Sequence, residues 1–117
     1  MFKFTSMILA ALLTACSVSS SPLDKASEKY RSDRDYKSLQ IIYEHLSVGI
    51  TRNDVESLLG EPDYSPTDGL YYYSSDQRVF LKDQNRYTSP GLVVDYRDKR
   101  DVPTETLQRF QLRNVGE

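Results

Sequence analysis

The stretch from Val48 to Pro62 most constrains what this chain can fold into, because one short helix has its start, buried face and stop all written there. Thr51 is placed to accept from the backbone N–H of Asp54, and Asp54 to reach back to the N–H of Thr51. Ile50 and Val55 take the two positions of a hydrophobic staple around that cap. Asp54 and Glu56 lie near the positive end of the helix dipole. Val55, Leu58 and Leu59 make the apolar stripe. Gly60 suits a left-handed position after the last turn, and Pro62 prevents continuation. The pattern predicts a helix over residues 52–59.

Upstream, Tyr36, Leu39, Ile42, Tyr43 and Leu46 recur at three- and four-residue spacing, the period of a helix with one apolar face. This places a second helix over residues 34–46, with Ser32 and Asp35 as its capping box. Downstream the chemistry changes. Residues 64–69 are turn-forming, and Leu70-Tyr71-Tyr72-Tyr73-Ser74 has high strand propensity. Residues 78–82 suit a further strand or an extension of the same hairpin. Residues 84–91 read as a polar loop ending in Pro90-Gly91. Leu92-Val93-Val94-Asp95-Tyr96 reads as a strand with Leu92, Val94 and Tyr96 on one face. Over residues 106–113, Leu107 and Phe110 have helical spacing while Phe110 and Leu112 alternate. Strand is preferred there, because an antiparallel meander needs a third or fourth partner. The expected class is α+β: two helices on one face of a three- or four-stranded antiparallel sheet.

The N-terminus carries a different signal. Lys3 precedes a charge-free, mostly apolar run that ends at Leu13-Thr14-Ala15-Cys16. A positive start, a short apolar centre and a small-residue end form the layout of a secretory signal peptide. At about 1.5 Å per residue the run is too short for an ordinary membrane-spanning helix. Cys16 is the only cysteine, so no disulfide can form within the chain. Leu13-Thr14-Ala15-Cys16 resembles the lipobox of bacterial lipoproteins. That resemblance implies cleavage before Cys16, a diacylglycerol thioether on its sulfur and acylation of the freed amine. Several acyl chains anchor stably where one does not. Ser17 after the cysteine, in place of Asp, implies export to the outer membrane. The expected organisation is a leader over residues 1–15, lipidated Cys16 and a flexible tether over residues 16–33, and one domain over residues 34–117.

Gly49-Ile50-Thr51, Val55, Leu58-Leu59-Gly60-Glu61-Pro62 and the aromatic strand that follows resemble the SmpA/OmlA (BamE-like) family of small outer-membrane lipoproteins. The likeness covers residues 46–73 and, loosely, 92–96. Ile50 stands where the family usually has Met, and Tyr71 to Tyr73 where it has a Trp-containing strand. The Gly-Asn-Tyr-Leu segment ahead of the family's first helix is missing, and Asp35-Tyr36-Lys37-Ser38-Leu39 occupies that region. The resemblance implies two helices on a three-stranded antiparallel sheet. It also implies a periplasm-facing accessory that binds another envelope protein, with the β-barrel assembly machinery as first candidate partner.

The remaining residues favour binding over catalysis. The net charge is −2, and −3 once Lys3 is lost with the leader, which offers no basic field for nucleic acid. His45 is the only histidine and has no nucleophile motif beside it. A zinc site needs three or four ligands, so no metal or other cofactor is expected beyond the lipid on Cys16. Asp95 and Asp98 are better read as exposed strand-end charges than as a catalytic pair. Tyrosine is abundant, with nine residues and no tryptophan, and it supplies contact area with a polar tip. Tyr71, Tyr72 and Tyr73 are consecutive, so a regular strand must present them to both faces. They are the candidate partner surface. Either Tyr72 or the Tyr71/Tyr73 pair falls on the face the helices leave open. A second function class stays open at this point: a periplasmic inhibitor that blocks a cell-wall or lactam hydrolase.

Overall fold

A computed structural model describes residues 21–115. The leader and Cys16 lie outside the described residues. Three helices come first: α1 (Pro22–Asp33), α2 (Tyr36–His45) and α3 (Arg52–Leu59). Five strands follow: β1 (Tyr64–Thr67), β2 (Leu70–Tyr73), β3 (Val79–Leu81), β4 (Arg86–Asp95) and β5 (Arg109–Val115). The class is α+β, with all strand pairs antiparallel.

Helix α3 has the predicted limits. Thr51 Oγ1 accepts from the Asp54 N–H at 3.2 Å. The reciprocal bond from Asp54 does not form. Instead the backbone around the cap is bridged to a distant segment: Gly49 N–H donates to Leu107 O, Leu107 N–H to Ile50 O, and Arg52 N–H to Glu105 O, each at 2.8 Å. Gly60 has a positive φ of 79° with ψ of −155°, an extended glycine conformation rather than the left-handed helical one.

Helix α1 occupies ground that the sequence reading assigned to tether. Ser21 and Asp24 form its capping box, and Pro22 starts it. Charged residues dominate its exterior, but Ala26, Ser27 and Tyr30 form a narrow buried stripe. Tyr30 is fully buried, and its hydroxyl donates to Ser74 O at 2.6 Å. Ser27 Oγ donates to Leu58 O at 2.7 Å, which satisfies a carbonyl in the last turn of α3. The helices are therefore three, not two. The expected capping box of α2 also shifts. Ser32 lies inside α1, Arg34 turns the chain with φ of 58°, and Asp35 alone caps α2 through the Ser38 N–H at 3.0 Å.

The strands run in the order β1-β2-β4-β5, with β3 paired to the opening half of β4. Residues 64–67, expected as turn, form β1 against β2. Residues 86–91, expected as loop, are the opening half of β4, and Pro90 pairs with Asn114 there. On one edge β4 pairs first with β3 (Thr88↔Val79) and then with β2 (Leu92↔Tyr73). Gly91 stands at that change. A Cβ on it would overlap the Tyr73 carbonyl oxygen and lie 2.7 Å from Val115 Cγ2. The residue must be glycine because another backbone passes too close for any side chain.

The core lies between the helices and one sheet face. Ala26, Tyr30, Leu39, Ile42, Leu46, Val55 and Leu59 pack with Tyr73, Leu92, Val94, Tyr96 and Leu107. Phe110 and Leu112 of β5 join this core from its margin.

Candidate functional site

Alternation along β2 decides which tyrosines can meet a partner. Tyr73 lies in the core, and its hydroxyl donates to Gly60 O at 3.0 Å. Tyr71 also faces the helices. Its ring packs edge-on to Tyr96 at 5.8 Å between centroids, and its hydroxyl accepts from Arg52 Nη2 at 2.7 Å. Tyr72 points the opposite way, to the face without helices. Of the three residues singled out from the sequence, Tyr72 is the one presented to that open face.

Tyr72 has company there. Tyr64 of β1 is its register partner, with ring centroids 5.8 Å apart. Tyr64 is 59% exposed. These two rings, Tyr87 of β4 and Arg78 border a groove of about 500 Å³, with Asp63 and Asp76 among its acids. Arg78 lies over the Tyr87 ring at 4.7 Å, and Phe80 packs against Tyr87 at 5.0 Å. Phe80 and Tyr87 remain 44% and 53% exposed. Their hairpin carries aromatic area beyond the core, and nothing in the described chain covers it.

A second depression, of about 250 Å³, lies on the same face beside Tyr72, Val93, Asp95, Arg97, Arg109 and Arg113. Asp95 organises it. Its carboxylate accepts from Arg97 Nε at 2.9 Å and Nη2 at 3.0 Å, and from Arg109 Nη2 at 2.8 Å. The Asp95 side chain is only 8% exposed, while that of Arg109 is 56% exposed. Burial pushes the Asp95 carboxyl up. The hydrogen bonds from the Arg97 side chain and backbone and from Arg109, together with the Arg109 charge, outweigh it and hold the pKa at about 2. The carboxylate is thus a fixed anchor that orients two guanidinium groups. Asp98 does not join it. It accepts from the N–H groups of Arg100 and Val102 in a turn.

No family model, curated protein or solved structure matches the chain. Among the described residues no group of three or more His, Cys, Asp or Glu side chains is placed to hold a metal. His45 is exposed at the end of α2, with Nδ1 2.9 Å from Ile41 O.

Sequence reasoning missed three parts of this face. Tyr64 falls in the expected turn, Tyr87 in the expected loop, and Arg109 within the ambiguous segment 106–113. One signal was available locally: Asp95 and Arg97 are two apart, the spacing that puts strand residues on one face. The arrival of Arg109 from fourteen residues away had no such signal.

Proposed function

We propose that this chain is a lipid-anchored outer-membrane lipoprotein of the SmpA/OmlA kind, held through Cys16 on the periplasmic side. It works as a protein-binding accessory in outer-membrane protein assembly or envelope integrity. The observation that carries the binding role is the uncovered sheet face, where Tyr72 stands between a groove bordered by Tyr64 and Tyr87 and a depression that holds the arginines oriented by Asp95. Tyrosine and arginine are the residue types that most often dominate binding energy, because they offer area and directed hydrogen bonds at low ordering cost. The Leu13-Thr14-Ala15-Cys16 box supports the membrane side of the reading. The role is binding without catalysis, and the partner is another envelope protein.

Tyr72 provides the test. A photo-crosslinking aromatic residue placed at position 72 in intact cells is expected to capture an envelope protein, a barrel-assembly component first. Tyr72→Ser is expected to keep the wild-type circular dichroism and to abolish co-purification of that protein. Unchanged co-purification with a folded Tyr72→Ser variant would overturn the assignment of this face.

One feature favours a second reading, inhibition of a cell-wall or lactam hydrolase. The β3–β4 hairpin presents Phe80 and Tyr87 on a narrow arm, a shape suited to entering a cleft. Capture of a hydrolase rather than a barrel-assembly component, lost on Phe80→Ser, is the result that would select it.

A further inference from the structure

Strand β5 pairs with β4 along one edge, and among the described residues its other edge receives no backbone hydrogen bond from any element. An open edge is a row of donors and acceptors ready for another strand. The remaining edges of the sheet are poor templates. β1 has four residues, one of them Pro66, and β3 has three. β5 has seven residues without proline, about 23 Å at 3.3 Å each.

The two sides of this edge differ in chemistry. On the open face β5 presents Arg109, Gln111 and Arg113, all exposed. Asp95 already holds Arg109, whereas Arg113 makes no ion pair among the described residues. On the helix side Phe110 and Leu112 are half-buried. Beside Leu112 the surface of α2 opens into a depression of about 300 Å³, lined by Lys37, Gln40, Ile41, Tyr43 and Glu44. A strand laid along β5 would therefore send one row of side chains toward this depression and the other toward the arginines.

A second copy of the chain is the wrong occupant. Arg109-Phe110-Gln111-Leu112-Arg113 is nearly symmetric about Gln111. Antiparallel pairing of two copies centred there would set Arg109 opposite Arg113 twice, and like charges directly opposite destabilise a pair. The complement is an extended segment with acidic residues in one row and apolar residues in the other.

We infer that β5 is a strand-addition site, which takes an extended acidic–apolar segment of a partner protein between its free edge and helix α2. In this mode backbone hydrogen bonds supply affinity, and the alternating side chains supply specificity. The inference rests on the reading of the protein as a binding module and does not depend on where it is anchored.

The test uses the full chain in mild detergent and three synthetic ten-residue peptides. One alternates Glu with Val, one alternates Lys with Val, and one is the Glu peptide N-methylated at every second residue. The Glu peptide is expected to bind and to slow amide exchange in β5. The Lys peptide and the N-methylated peptide are expected not to bind. Arg113→Glu should weaken the Glu peptide by about tenfold and bring in the Lys peptide. Equal binding of the Glu and Lys peptides, or full binding of the N-methylated one, overturns the proposal. So does β5 protection that appears without peptide and grows with protein concentration, the sign of self-pairing. If the peptides fail while the Tyr72 crosslink persists, the edge is wrong and the binding role stands. If the peptides bind as described while the Tyr72 crosslink fails, the open-face assignment falls alone.

Discussion

At the scale of single residues, Asp95 links charge to stability. Its folded pKa, about 2, lies below the ordinary carboxylate value of 3.8. Between these values the unfolded chain binds the proton and the folded one does not. The stabilisation is therefore complete above about pH 4 and is lost as pH falls through about 2. Water around Arg109 screens part of it, so about 1 kcal/mol is expected. Urea midpoints of Asp95→Asn should fall below wild type by a constant amount above pH 4, and the gap should close as pH approaches 2. A gap independent of pH would show that the arginines do not act through this carboxylate. Gly91 gives a steric case. Because a Cβ there meets the Tyr73 carbonyl, Gly91→Ala should cost about 1–3 kcal/mol in a chemical melt. Gly49→Ala, at φ of 101° with nothing within 4 Å, carries backbone strain alone and is the control.

At the scale of elements, α1 is the one whose existence was hardest to read. Half of its residues are charged, and its apolar period is thin: Leu23, Ala26 and Tyr30 stand three and four apart among charged neighbours. Its hold on the fold comes from Tyr30, whose ring is buried under the Arg34 guanidinium at 4.8 Å and whose hydroxyl reaches Ser74 O. Arg34 in turn bonds Glu61 O at 3.1 Å and Asp63 Oδ1 at 3.2 Å. Helix α1 is thus pinned to the turn after α3 and to the end of β2. Tyr30→Ala should destabilise by about 3–5 kcal/mol. Tyr30→Phe should cost about 1 kcal/mol, since it leaves the Ser74 carbonyl without that donor. If α1 were only a tether, neither variant would shift the denaturant midpoint. Helix α3 is the opposite case. Its caps and stripe lie within twelve residues, so its limits could be read directly.

At the scale of the whole molecule, anchoring and architecture separate. The lipobox predicts that Cys16→Ala removes lipidation, so that the protein leaves the outer-membrane fraction or stays unprocessed. Cell fractionation with intact-mass measurement checks this, and unchanged mature protein in the outer membrane would refute it. The sequence by itself determined what depends on neighbours along the chain. These are the class, the limits of α3, the apolar face of α2, the inward row Leu92, Val94 and Tyr96, and the fact that three consecutive tyrosines must split between two faces. Only the tertiary structure decided which way they split. Tyr72 faces outward because helices α1 to α3 cover the side that holds Tyr71 and Tyr73. Tertiary contacts likewise turned a Ser-Pro stretch into β1, extended β4 through Pro90-Gly91, recruited a charged segment as α1 and brought Arg109 to Asp95. Strand β1 pairs with its immediate neighbour β2, from Thr67↔Leu70 at the turn to Tyr64↔Tyr72; the other outcomes rest on partners more than seven residues away, where register and burial outweigh local propensity.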